Sequence, residues 1–173
     1  MAGATIPIDA VNRMTRDHFV KAFGDIAEHS PWVAERAAVE RPFANRREMA
    51  GAFLDAVFDA DPPKQLALVR AHPDLAGRAA LAGELMPDSR NEQAAAGLDT
   101  LTPAEFARFT ELNETYRAKF GFPFILAVKG VDKHKILASF ETRIDNDPEA
   151  ELATAIRQVA NIISFRIEDR VSA

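Results

Sequence analysis

Hydrophobic side chains recur every three or four positions along most of the chain, which is the spacing of an amphipathic α-helix. The clearest helix start is Thr102-Pro103-Ala104-Glu105, which combines a capping threonine, a proline at the first helical position and a glutamate at the third. The only β-like run, Phe122 to Val128, contains Pro123, and a single run cannot form a sheet. The pattern therefore predicts an all-α fold with about seven or eight helices. Further starts are predicted at Thr15, Ser30-Pro31, Asn45 with Glu48, Asp61-Pro62, Asp132 and Asp147-Pro148.

The length of the chain fits one compact domain. A chain of 173 residues buries roughly 70% of its unfolded surface, so its core needs neither a metal nor a disulfide. No linker or repeat divides the sequence, which predicts a single domain over residues 1–173, with residues 1–14 as a leading segment. The composition, 47% hydrophobic and 27% charged, excludes a disordered chain, a fibre and a membrane protein.

The chemistry of the side chains excludes several further classes. Cysteine is absent, and none of the four histidines lies three or four positions from another, so no metal site is predicted. Acidic residues outnumber basic ones, 26 against 21, which argues against nucleic-acid binding. No apolar run reaches the roughly 18 residues of a membrane span, and the N-terminus has no secretion signal. We therefore expect a soluble, cytoplasmic protein that binds neither nucleic acid nor membrane.

One arginine interrupts the apolar pattern of the last predicted helix. Arg166 falls within the sector of the helical wheel occupied by apolar residues, three positions after Ile163. Such an arginine either extends its charged head to solvent at the edge of the core or faces an anion in a cavity. The first interpretation is the commoner one near a helix end, and Arg170 on the same face favours it.

Two other polar segments are also open to two interpretations. His72 precedes Pro73, so the helix before it should end at or just before His72, and the imidazole either caps that helix or transfers protons near neutral pH. Ser89 and Glu92 have the spacing of a capping box, in which Glu92 would accept a hydrogen bond from the Ser89 N–H. Alternatively, this helix start points into a pocket and binds a polar ligand.

Four stretches of the sequence occur in the order and at the spacing of one known family. They are His72-Pro73-Asp74-Leu75-Ala76-Gly77, Ser89-Arg90-Asn91-Glu92-Gln93, Gly121-Phe122-Pro123-Phe124-Ile125 and a late Arg166. Together they resemble the OHCU decarboxylases, which convert 2-oxo-4-hydroxy-4-carboxy-5-ureidoimidazoline (OHCU) to (S)-allantoin in urate breakdown. The similarity extends from about Thr15 to Arg170.

The resemblance implies a compact all-helical fold, a homodimer and a carboxy-lyase that needs no cofactor. It implies that His72, Glu92 and Arg166 are catalytic. It also implies contacts with the OHCU substrate from Pro73, Ser89 and Gln93 and from the backbone of Phe124, Ile125, Leu126, Ala127 and Val128.

The chemistry of this substrate is consistent with the residues present. Its carboxylate is attached to a carbon next to a ring C=N bond, which accepts the electrons left by CO₂, so no cofactor is required as an electron sink. His72 is then expected to transfer protons, Glu92 to orient His72 or the substrate, and Arg166 to stabilise negative charge on the ring.

Two other functions remain open from the residues alone. A helical interaction module would use His72, Glu92 and Arg166 only for capping and solubility. A hydrolase of a related cyclic ureide would use His72 as the base for water and would release no CO₂.

Overall fold

Nearly all regular structure in residues 3–173, which the computed structural model describes, is helical. Within these residues the prediction of an all-α fold is confirmed, with ten α-helices and one short 3₁₀ segment. Two short helices among the ten, Ile8–Arg13 with six residues and Arg78–Leu81 with four, were not predicted. The helices are α1 (Ile8–Arg13), α2 (Arg16–Phe23), α3 (Trp32–Ala37), α4 (Arg46–Phe58), α5 (Pro62–Arg70), α6 (Arg78–Leu81), α7 (Pro87–Ala95), α8 (Pro103–Phe120), α9 (Lys133–Arg143) and α10 (Pro148–Arg170).

The chain divides into two compact units. The first consists of the described residues up to Ala71 together with Val159–Ala173, and the second of His72–Gln158. Helix α10 contributes its first half to the second unit and its second half to the first. The prediction of a single domain stays a prediction. No helix within residues 3–173 combines the length and apolar composition needed to cross a membrane.

The first unit is built around a cluster of phenylalanine rings. The ring centroid of Phe19 lies 5.0 Å from that of Phe23 and 6.0 Å from that of Phe53. All three side chains are fully buried, so they form the apolar core that α2 and α4 share. The chain ends of this unit meet in a parallel pair of two-residue strands, β1 (Ile6–Pro7) and β2 (Val171–Ser172).

The second unit has its own aromatic core, on the buried side of α8. The Phe124 and Phe140 rings stack with their centroids 4.0 Å apart, and the Tyr116 ring meets both edge-on. Phe109, two turns before Tyr116 on α8, also meets the Phe140 ring edge-on, with centroids 6.4 Å apart. These contacts connect α8 and α9 to the segment Phe122 to Val128, which is irregular rather than a strand.

Some predicted helix starts are confirmed, and the one at Ser30 is wrong. Thr102 and Glu105 form a complete capping box, with Gly121 in the left-handed conformation at the other end of α8. Asp132 caps α9 by accepting hydrogen bonds from two backbone N–H groups. The prediction of Ser30 as a cap is wrong, because its hydroxyl donates to the Glu28 carbonyl and Pro31 occupies the cap position of α3.

Removing the cap of α8 should cost a measurable part of the stability. Thr102→Ala is expected to lower the free energy of unfolding by about 1 kcal/mol, because the Glu105 N–H loses its acceptor. The measurement is urea denaturation followed by circular dichroism. Thr142→Ala is the control, since this exposed threonine on α9 only bonds a carbonyl one turn earlier. Equal losses in the two variants would contradict the capping role.

Candidate active site

His72 lies in the loop that follows α5. The helix ends at Arg70, so the prediction that it stops before His72-Pro73 is confirmed. The side chain of His72 is 6% exposed, although imidazole is a polar group. The loop turns sharply at Ala76, whose φ of 53° is in the left-handed region. Gly77 permits a close approach, since a β-carbon there would lie 2.6 Å from the Asp74 β-carbon.

Two amides from different helices hold this loop. Gln93 on α7 uses both ends of its side chain, because Oε1 accepts from the Ala76 N–H at 3.0 Å and Nε2 donates to the Asp74 carbonyl at 3.3 Å. Asn113 on α8 donates to the Leu75 carbonyl at 2.9 Å. The structure thus brings Gln93 together with the loop that carries His72.

The predicted site residues of α7 lie on one face of that helix. Ser89, Glu92 and Gln93 are separated by three and four positions, and Ser89 and Gln93 are buried while Glu92 is half-buried. The capping-box interpretation of Ser89 is wrong. Helix α7 begins at Pro87 with Met86 as its cap, so Ser89 lies inside the first turn. Pro87 was the signal for this earlier start, since proline favours the first helical position.

The segment Phe124 to Val128 is an irregular, largely buried loop. Two of its backbone groups already have partners within the second unit. The Ala127 N–H donates to Gln158 Oε1 at 3.0 Å, and the Ile125 carbonyl accepts from Arg143 Nη1 at 2.6 Å. These bonds fix the course of the loop where no helix or sheet does so.

Arg166 belongs to the first unit and is 3% exposed. Its Nη2 donates to Glu28 Oε1 at 3.0 Å, and its Nη1 donates to the Ile26 carbonyl at 3.1 Å. The interpretation of a head group extended to solvent is therefore wrong for Arg166. Arg170 also has a partner, because its guanidinium forms two bonds with the Asp25 carboxylate, at 2.6 and 3.1 Å.

Three buried charged residues, one in the first unit and two in the second, were missed in the sequence. Glu28 lies in a loop without periodicity, so nothing local indicates that it is buried. Arg143 did carry a signal, because it continues the apolar stripe of Ile136 and Phe140 on α9, as Arg166 does on α10. Glu151 shares a helical face with the buried Ala155 in the same way.

The second unit has a cavity beside the loop that follows His72, and its lining includes neither His72 nor the predicted site residues of α7. The cavity, of about 600 Å³, is lined by Pro73 and, on α8, by Asn113 and Arg117 among others. Arg117 is paired with Asp74 at 2.9 Å. Within residues 3–173, no three His, Asp or Glu side chains are grouped so that they could hold a metal ion.

Comparison with known proteins places the chain in a family. Residues 12–168 match the sequence profile of the OHCU decarboxylases. The chain is 46% identical to a 2-oxo-4-hydroxy-4-carboxy-5-ureidoimidazoline decarboxylase of Haloferax volcanii, over 97% of this chain and 98% of that protein. A decarboxylase of the same name from Halalkalicoccus jeotgali is 43% identical over 95% of this chain and 91% of its own length.

A solved structure agrees with these sequence matches. A crystal structure of (S)-allantoin synthase superposes with a TM-score of 0.79 at 29% identity, covering 96% of this chain and 54% of that one. These findings define the class of the protein, which is an all-helical lyase that releases CO₂ from a small molecule. The chain belongs to the OHCU decarboxylase family.

Proposed function

We propose that this chain removes the carboxylate of OHCU as CO₂ and yields (S)-allantoin, in the breakdown of urate. The similarity to the Haloferax volcanii decarboxylase, over nearly the full length of both proteins, supports the choice of substrate. The observation within the structure that carries the proposal is the buried His72, in a loop held by Gln93 and Asn113. An imidazole kept from bulk water on a fixed backbone suits a defined proton transfer.

The residues have distinct roles in this reaction. The C–C bond to the carboxylate breaks and CO₂ leaves. The electron pair of the broken bond moves into the ring C=N bond. His72 takes the proton of the substrate hydroxyl or delivers a proton to the ring carbon on one face. Glu92 orients His72 or the hydroxyl and ureido groups of OHCU. Arg166 stabilises the negative charge that moves onto the ring heteroatoms.

Arg166 is assigned to the ring rather than to the departing carboxylate for an energetic reason. A tight arginine clamp on that carboxylate would stabilise the ground state more than the transition state, because the negative charge moves from the carboxylate to the ring as CO₂ forms. The bonds to Glu28 and to the Ile26 carbonyl hold the guanidinium in one orientation. Such a preoriented cation loses little energy to rearrangement when charge develops.

Ser89, Gln93 and the Phe124–Val128 backbone position the ureido arm, and Pro73 makes a further contact with OHCU. The reaction takes place without a cofactor, since the substrate itself provides the electron sink. Activity that survives dialysis against a chelator is the expected result, and activity that returns only with an added metal would contradict this part.

We also propose a cytoplasmic homodimer, which light scattering would show as twice the monomer mass.

Gln93 acts in this proposal by positioning the His72 loop as well as by facing the substrate. Gln93→Leu and Asn113→Leu should each lower kcat by roughly tenfold, because each releases the loop backbone and displaces His72. KM should stay nearly unchanged in Asn113→Leu and rise in Gln93→Leu, because only Gln93 also contacts the substrate. Steady-state kinetics measures the effect. Thr115→Val is the control on α8, since this exposed threonine lies outside the cavity. A raised KM with an unchanged kcat in the Gln93 variant would show that Gln93 serves only as a substrate contact.

A further inference from the structure

A buried ion pair lies behind the Phe124–Val128 loop, within the second unit. Arg143 at the end of α9 is almost fully buried, and Glu151 in the first turn of α10 is completely buried. Arg143 Nε donates to Glu151 Oε1 at 2.8 Å, and Nη2 lies 2.6 Å from the same oxygen without forming a hydrogen bond. Two opposite charges are thus held away from water.

The Glu151 carboxylate is also fixed by two neutral donors. The Tyr116 hydroxyl on α8 donates to Oε1 at 2.5 Å, and Asn146 Nδ2 donates to Oε2 at 3.0 Å. Burial, and then the bond to Glu151, raise the pKa of the Tyr116 phenol above its ordinary value, so this group remains a donor. The carboxylate therefore has one orientation, and it gives Arg143 one orientation in turn.

The side of Arg143 away from Glu151 reaches the loop. Nη1 donates to the Ile125 carbonyl at 2.6 Å, and the guanidinium carbon lies 4.3 Å from the centroid of the Phe124 ring. The Phe124 ring also stacks on the Phe140 ring, with centroids 4.0 Å apart. Phe124 and Ile125 are therefore located by one cation, through a hydrogen bond and a cation–π contact.

Stability alone is a poor reason for such an arrangement. Buried ion pairs are on average no more stabilising than apolar residues of the same volume, because both charges lose their hydration. The irregular loop, however, needs donors for its buried carbonyls, which helices and sheets supply elsewhere. A planar guanidinium can donate to such a carbonyl while its other N–H groups are oriented by a carboxylate.

We propose that Arg143, oriented by Glu151 and Tyr116, is a positioning residue that holds the Phe124–Val128 backbone in the conformation that binds substrate. This inference rests on the proposed function, since it assigns to Arg143 the support of a loop that contacts OHCU. Arg143 acts through the loop and is not a catalytic residue. The Ile125 carbonyl, already bonded to Arg143, then orients its neighbours rather than accepting a bond from the substrate.

Arg143→Lys tests the inference with the charge retained. A lysine ammonium can reach Glu151 but lacks the fork that also bonds the Ile125 carbonyl. We expect KM for OHCU to rise about tenfold while kcat and its pH profile stay within about threefold, since the ureido arm is bound alike in ground and transition states. Amide hydrogen exchange of residues 125–128 should become faster in the same variant.

The matched control is Arg108→Lys, which removes the fork of an exposed arginine paired with Glu141 and Glu111. It should keep the KM and the loop exchange rates of the unmodified chain. Tyr116→Phe is a milder second variant, in case Arg143→Lys does not fold. It keeps the ring packing, removes one hydrogen bond to Glu151 and should raise KM by about threefold.

The outcomes separate this inference from the proposed function. An active unmodified enzyme whose Arg143→Lys and Tyr116→Phe variants lose kcat or thermal stability with KM unchanged would overturn the positioning role alone. An unmodified chain without decarboxylase activity would overturn the proposed function. Faster exchange in the loop would then still show that Arg143 holds the backbone, and unchanged exchange would overturn that as well.

Discussion

His72→Asn is expected to lower kcat for OHCU decarboxylation by roughly 10²- to 10⁴-fold, the usual contribution of a positioned general acid or base. Asparagine is close in size to imidazole and still forms hydrogen bonds, but it does not take up and release protons near neutral pH. Circular dichroism should show unchanged helix content, since His72 lies in a loop and outside both aromatic cores. Stopped-flow measurement of substrate consumption gives the rate.

His134→Asn is the control for that variant. This histidine belongs to the same unit but is exposed in the first turn of α9, so its replacement should leave kcat and KM unchanged. Full activity of the His72 variant would remove the proton-transfer role. An equal loss in both variants would indicate a general effect of histidine replacement rather than a specific one.

Arg166→Lys is expected to lower kcat by about 10²- to 10³-fold, comparable to the loss of one oriented donor from an oxyanion site. Lysine retains the positive charge beside Glu28, which matters because an unpaired buried charge costs about 3–5 kcal/mol. It does not reproduce the planar guanidinium of Arg166, which donates to Glu28 and to the Ile26 carbonyl at the same time. The cation therefore no longer has the orientation required for charge developing on the ring.

The matched control is Arg170→Lys, one turn further along α10. Arg170 also forms a forked ion pair, with Asp25, but it is half-buried and has no proposed role in the reaction. It should retain the kinetics of the unmodified chain, and thermal melting of both variants identifies any loss of fold. Near-normal kinetics for Arg166→Lys would show that Arg166 serves only as the structural partner of Glu28.

The sequence is informative where structure is determined locally. The start of α8 at Thr102 and the end of α5 before His72 depend on a few neighbouring residues, and both predictions are confirmed. The capping prediction at Ser89 is wrong because Pro87, two residues earlier, starts α7 first. Local rules compete when two starts lie so close together, and the pattern alone does not decide between them.

Long-range pairs account for what the sequence did not predict. Glu28 meets Arg166 across 138 positions, so the burial of either charge depends on contacts that no local pattern contains. Arg143 shows that a partial signal exists, because a cation within an apolar stripe suggests a buried partner. Its partners Glu151 and Ile125 follow only from the fold. The family motif identified candidate residues, whereas the structure shows what holds them.

The optical activity of the product, followed together with CO₂, is the most direct test of the account. The purified chain is mixed with freshly generated OHCU after dialysis against a chelator, with a no-enzyme sample and His72→Asn alongside. The account predicts that CO₂ and (S)-allantoin form together, faster than in either comparison, and in one enantiomer. Ring opening without CO₂ would instead indicate a hydrolase, and a rate equal to that without enzyme would contradict the proposed function.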